Sequence, residues 1–138
     1  MEFWQHLLAC LILITLLYPF FGVLSLLVLV SGFLIDIDHV ITYFFKFKKI
    51  GSFKQINDYF RNITKTKNRQ DYENAFRIFH SMEAVIIMII LSFAGEIFFV
   101  LMLGLIMHIT MDVIHEKKAF GKLQDFSIIS RLLKQKPL

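Results

Sequence analysis

The chain has 138 residues, of which 57% are hydrophobic and 16 are phenylalanine, with a mean hydropathy of +0.63 and a net charge of +4. This apolar content excludes an ordinary soluble enzyme of this size and indicates a small polytopic membrane protein. The single cysteine, Cys10, excludes a disulfide framework and a cysteine-based metal cluster.

Four apolar segments are predicted to be helices, and the first is interpreted as a retained helix that stops at Pro19. The two connections within the pairs are very short, which favours antiparallel hairpins. The sequence therefore predicts an all-α fold, a four-helix up-down-up-down bundle within a single membrane-embedded domain, residues 1–138. The four segments cover about 3–18, 20–45, 84–93 and 97–114.

The long connection between the second and third segments, residues 46–77, is basic. Apolar residues recur in it at near-helical spacing, which predicts an amphipathic helix on the membrane surface. A more specific interpretation gives this helix a lid or substrate-guiding role. The basic tail, 117–138, has a similar pattern. The apolar positions of the insert are Phe53, Ile56, Phe60 and Ile63.

The distribution of basic residues predicts the orientation. All 15 Lys and Arg residues fall in 46–77 or 117–136, and the two short turns carry none. The positive-inside rule then places the insert, the tail and both termini in the cytoplasm of a protein integral to the cell (inner) membrane. The same charges are suited to anionic lipid headgroups, and no specific nucleic-acid binding is expected.

All five histidines map to the cytoplasmic end of this predicted bundle, and acidic residues accompany them. His108, Asp112 and His115 follow an i, i+4, i+7 spacing and share one helix face, and His80 and Glu83 are three residues apart. Intramembrane ionisable groups are functional by default, and imidazole with carboxylate suits zinc, manganese or iron. The candidate ligands are His6, Asp36, Asp38, His39, His80, Glu83, His108, Asp112 and His115.

Nine groups exceed the needs of one tetrahedral zinc and are enough for two divalent metal ions, with zinc first and manganese or iron as alternatives. Each element also has a plainer interpretation. His6 beside Trp4 is typical of a headgroup-facing residue, and His80 with Glu83 is typical of a hydrogen-bonded pair at a helix start. Asp112 is the hardest to explain without a bound partner, because a carboxylate in a membrane helix is costly.

At these residues the chain resembles the small membrane-bound metal-dependent hydrolases that include the LexA-regulated inner-membrane proteins. The resemblance rests on an early histidine, a D-x-D-H box, a central His-containing box and a G-x3-H-x3-D box. These are FWQHLLACL, GFLIDIDH, FHSME and GLIMHITMD here. Zinc-dependent phospholipases C are more distantly similar. The resemblance implies a metal cluster held by several helices, and phosphoester hydrolysis.

The sequence therefore predicts a membrane-bound metal-dependent hydrolase acting on a phosphoester or lipid headgroup at the cytoplasmic membrane surface. Glu83 or Asp38 is the candidate general base. The alternative is a non-enzymatic metal-binding membrane module or a transporter component, and the plainest alternative is a structural membrane protein. So slim a bundle is also compatible with a homodimer.

Overall fold

A computed structural model describes residues 3–68, 78–121, 123 and 126–134. Most of these residues are helical, and none of them forms a strand. The α-helices are α1 (Phe3–Phe21), α2 (Leu27–Phe33), α3 (Ile37–Phe47), α4 (Phe53–Lys65), α5 (Met82–Ser92), α6 (Glu96–Phe120) and α7 (Ile128–Lys134). Two short 3-10 helices, Gly22–Leu26 and Leu34–Asp36, flank α2.

Two helical runs are long and apolar enough to cross a membrane, Trp4–Phe47 and Glu96–Phe120. The first run is folded back on itself. Cys10 Sγ lies 3.9 Å from the carbonyl oxygen of Val28, whereas 18 residues of straight helix would separate them by about 27 Å. The reversal occurs at Gly22, whose φ of +52° is a left-handed conformation that glycine adopts without steric cost. The run is therefore a hairpin.

Helix α1 continues through Pro19 to Phe21, so the prediction that it stops at Pro19 is wrong. The proline stands in the last turn, where its missing N–H removes a single helical hydrogen bond, and glycine rather than proline ends the helix. The other predicted segments agree with helices at shifted bounds. Helix α5 has 11 residues, about 16 Å, which is short of a bilayer core of about 30 Å.

The apolar core lies between α1, α2 and α6, where Cys10, Val28 and Val100 are fully buried. Helices α2 and α6 approach each other closely at Gly104. A Cβ at that position would clash with Ser31 Oγ and lie 3.2 Å from the carbonyl oxygen of Val28. This close approach brings the backbone of α2 within reach of the side chains that follow Gly104 on α6.

Helix α4 forms as its spacing predicts, and Ser52 with Gln55 makes a capping box at its start. Its apolar face packs on α3 and α6, and Ile56 and Ile63 are buried there. The polar side chains Lys54 and Arg61 are exposed on the opposite face. The helix therefore covers the protein with its apolar face. The remainder of the predicted insert, 69–77, lies outside the described residues.

Candidate metal centre

The structure brings together seven of the nine predicted ligands from four parts of the fold. Helix α1 contributes one, the turn before α3 and its first residues contribute three, the segment before α5 contributes one and α6 contributes two. These four parts are distant in the sequence, and they meet because the two hairpins pack together. The seven residues are His6, Asp36, Asp38, His39, His80, His108 and Asp112.

Asp112 faces three imidazole rings of the centre. Its Oδ1 lies 3.3 Å from His6 Nε2, and its Oδ2 lies 3.3 Å from the Nε2 atoms of both His80 and His108. The two carboxylate oxygens thus face different histidines. Each oxygen is therefore available as a ligand on its own side of the centre.

Asp36 occupies the other side of the centre. Its Oδ1 lies 3.5 Å from His108 Nε2, 3.6 Å from His39 Nε2 and 3.7 Å from His80 Nε2. Asp36 and Asp112 are 18% and 19% exposed, whereas His108 is fully buried. The carboxylates therefore form the edge of the centre that water can reach.

The tautomers of the two innermost histidines follow from their outer partners. His108 Nδ1 lies 2.7 Å from the carbonyl oxygen of Gly32, which can only accept a hydrogen bond. His80 Nδ1 lies 3.1 Å from Asp38 Oδ2. Both Nδ1 atoms therefore donate, and each Nε2 is left as the atom that binds a metal, as is usual for metal-bound histidines.

Those two Nε2 atoms lie 3.0 Å apart. With both Nδ1 atoms protonated, neutral imidazoles would direct two lone pairs at each other across this distance. A cation between them, or an added proton on one ring, removes the repulsion. The two facing Nε2 atoms therefore favour a positive charge, from a cation or a proton, at this point in the centre.

Electrostatics favours positive charge as well, because three carboxylates surround the imidazoles. Burial alone would lower the pKa of His80, but its contacts with Asp112, Asp36 and Asp38 outweigh burial and hold the pKa well above its ordinary value. Two groups of three residues, His6–His108–Asp112 and Asp36–His80–His108, have ligand atoms within 4.8 Å of one another. Each of these buried groups could hold a metal ion.

Asp38 does not face the centre in the manner of Asp36. It is fully buried, and its Oδ2 accepts hydrogen bonds from His80 Nδ1 and from the backbone N–H of Phe79 at 2.9 Å. It therefore orients His80. His39 lies at the rim, where it is 28% exposed.

Glu83 and His115 are not members of either group of three. The Glu83 carboxylate accepts hydrogen bonds from Ser127 Oγ at 2.6 Å and from the backbone N–H groups of Ile128 and Ile129, so it caps the start of α7. His115 is half-buried, about two turns beyond His108 on α6. Their predicted metal and catalytic roles stay predictions.

Two features of the centre were not predicted from the sequence. The Gly32 carbonyl group orients His108, and no side-chain pattern could have identified a backbone acceptor. Phe60 of α4 stacks on His39, and the helical spacing of the insert had marked it only as apolar.

In comparisons with known proteins, no family model, curated protein or solved structure matches this chain. The resemblance to membrane-bound metal-dependent hydrolases therefore rests on the four sequence boxes alone. The argument for function depends on the geometry of the centre.

Proposed function

We propose that this chain is a membrane-embedded, metal-dependent hydrolase of phosphoesters. The observation that carries the proposal is the pair of buried imidazoles, His80 and His108, whose Nε2 atoms lie 3.0 Å apart between the carboxylates of Asp36 and Asp112. Clusters of imidazole and carboxylate with outer hydrogen-bond partners are typical of hydrolytic metal sites.

Two cations are proposed because three imidazoles and two carboxylates exceed the ligands of one tetrahedral ion. Asp112 also carries one oxygen toward His6 and the other toward His80 and His108. Nitrogen and carboxylate ligands favour zinc, and manganese or iron is the alternative. Divalent ions bound here would supply an activated water at neutral pH and charge stabilisation for a phosphoryl group.

The protein's own residues would divide the remaining work. His6, His80 and His108 are nearly or fully buried and would hold the ions in fixed positions. Asp38 and the Gly32 carbonyl group orient two of these rings, so little reorganisation is needed when an ion binds. Asp36 and Asp112 reach solvent, so the proton of an attacking water is proposed to leave along this edge.

The proposed site opens at a membrane surface. Apolar side chains on α1 and α5 are exposed, including Leu16 at 63% and Ile90 at 65%, as expected for contact with lipid. In the proposed topology, α1, the run from 22 to 47, α5 and α6 form the four-helix bundle of the inner membrane, with the termini and the basic segments in the cytoplasm. Anionic headgroups are the proposed lipid partners, and a phosphoester or lipid headgroup is the proposed substrate.

One observation favours the alternative of a non-enzymatic metal-binding module or a transporter component. His108 lies 12 residues from the start of α6, near the middle of a 25-residue helix. Transport sites lie near the bilayer midplane, so this depth is compatible with passage of an ion. Flux of zinc or manganese into proteoliposomes, without hydrolysis of any phosphoester, would favour this alternative.

The first experiment measures metal content by elemental analysis of detergent-purified protein. We expect about two equivalents of zinc, manganese or iron in the wild type and loss of metal in His108→Ala. Thr110→Ala is the matched control, because Thr110 is exposed on the same helix. Helical content and the unfolding midpoint of each variant establish that the bundle is intact.

The metal-loaded protein is then tested in liposomes on a chromogenic aryl phosphodiester and on phospholipids. Hydrolysis that requires metal and is lost in His108→Ala would support the hydrolase. Metal binding without hydrolysis would favour the non-enzymatic module. No bound metal after reconstitution with all three ions would refute the proposal and leave a polar helix-packing element.

A further inference from the structure

An aromatic ring of the basic insert contacts a histidine at the rim of the metal centre. Phe60 on α4 stacks on the imidazole of His39, with ring centroids 4.1 Å apart and an interplanar angle of 25°. His39 lies on α3, 21 residues earlier in the chain. The contact therefore joins the insert to the segment that carries GFLIDIDH. The insert itself lies outside the sequence boxes on which the family resemblance rests.

His39 is the intermediate between Phe60 and the centre. Its Nε2 lies 3.6 Å from Asp36 Oδ1, and its ring lies parallel to that of His80, with centroids 5.6 Å apart. Asp36 Oδ1 in turn faces the Nε2 atoms of His80 and His108. A displacement of His39 would consequently change the surroundings of the carboxylate at the exposed edge.

The position of Phe60 is fixed by its own helix. Ile56 and Ile63 are buried on the same side of α4, and the capping box at Ser52 fixes the helix start. The neighbouring ring of Tyr59 packs edge-on against Tyr43 and Phe47 of α3. The ring of Phe60 is thereby presented to His39 by a packed hairpin of α3 and α4.

We propose that Phe60 is a positioning residue, which acts through His39 to hold Asp36 in the metal centre. The inference rests on the metal centre of the proposed function and adds to it a determinant on the insert. Without the aromatic ring, His39 regains rotamers that turn its Nε2 away from Asp36. The centre would then bind metal more weakly, although no proposed ligand has been altered.

The test is a double-mutant cycle on zinc affinity, measured in detergent-purified protein by competition with a chromogenic chelator. The proteins are wild type, Phe60→Ala, His39→Ala and the double variant. We expect Phe60→Ala to weaken zinc binding about tenfold, the low end of the effect of partners that orient metal ligands. In the His39→Ala background, Phe60→Ala should have no further effect, because its route to the centre has been removed.

Two further variants separate positioning from general packing. Phe60→Tyr keeps the ring and should retain wild-type affinity, whereas Phe60→Leu keeps an apolar side chain and should weaken binding as Phe60→Ala does. Phe53→Ala is the matched control, since Phe53 begins the same helix and is 59% exposed. It should leave zinc affinity unchanged.

The outcomes distinguish this inference from the proposed function. Wild type that binds zinc, with unchanged affinity in both Phe60→Ala and Phe60→Leu, would overturn the inference alone. Full additivity with His39→Ala would also overturn it, because Phe60 would then act by another route. Wild type that binds no zinc would overturn the metal centre and the inference together.

Discussion

Glu83 at the start of α7 and the aspartates of the metal centre lie in two different environments. Glu83 accepts hydrogen bonds from a serine hydroxyl group and two backbone N–H groups. Asp36 and Asp112 instead face imidazole Nε2 atoms, and two of those imidazoles already donate through Nδ1 to other partners.

The difference lies in the supply of donors. The Glu83 carboxylate is satisfied by the protein itself, so its role in the structure needs no ion. In the centre, neutral histidines would leave Nε2 atoms and carboxylate oxygens facing one another as acceptors, and a cation or added protons would satisfy them. The number of hydrogen-bond donors around each carboxylate therefore distinguishes Glu83, which caps a helix, from the aspartates that are suited to bind metal. The sequence does not distinguish them, because Glu83 and Asp36 each lie three residues from a histidine.

The largest expected effect is that of Asp112→Asn. This change keeps the shape of the side chain but removes the charge that faces three imidazoles, so we expect zinc affinity to fall by more than about 100-fold, beyond the effect of outer partners. Competition with a chromogenic chelator measures the affinity. A zinc affinity equal to that of the wild type would show that Asp112 is not a ligand and would remove the contrast with Glu83.

A smaller effect is expected for Asp38→Asn, because Asp38 touches the centre only through His80. Loss of its charge should weaken zinc binding about 10- to 100-fold. The chelator competition described above measures the affinity. Thr42→Ala is the control, since the Thr42 hydroxyl group bonds to the backbone carbonyl of Asp38 and not to its carboxylate. Equal losses in the two variants would indicate local unfolding of α3.

Glu83→Gln should leave zinc content unchanged and loosen α7. The neutral amide is a weaker acceptor for the Ser127 hydroxyl group and the two N–H groups, so amide hydrogen exchange over 128–134 should become several-fold faster. Exchange measured by mass spectrometry, with zinc content on the same sample, checks both parts. Loss of zinc in this variant would show that Glu83 belongs to the metal centre as the sequence predicted.

The smallest effect is expected for His115→Ala. His115 lies outside both groups of potential ligands, so zinc content should match that of the wild type. The same elemental analysis decides it. A loss of one equivalent of zinc would make His115 a third ligand from α6, as the i, i+4, i+7 spacing of His108, Asp112 and His115 predicted.

Some of the fold could be predicted because it depends on local spacing. Phe53, Ile56, Phe60 and Ile63 recur at helical intervals, and α4 covers these residues. Its apolar face, however, packs on α3 and α6, and a pattern of apolar residues cannot distinguish a lipid surface from a protein surface. Pro19 was wrongly interpreted as the end of α1, because a proline inside a helix removes only its own N–H bond to the preceding turn and the helix can continue past it, here to Phe21.

The sequence by itself determined that the chain is apolar and helical, and which residue types are available for a metal: imidazoles and carboxylates in four boxes at helical spacing. Only the tertiary structure decided which of them meet. His6 and His108 lie 102 residues apart and stack with ring centroids 4.1 Å apart because Gly22 reverses the chain and Gly104 admits α2 beside α6. Spacing along a helix fixes the face on which a side chain lies, but the packing of helices fixes its partners. Glu83 shows the consequence, since an acid three residues from a central histidine is bonded to the start of another helix.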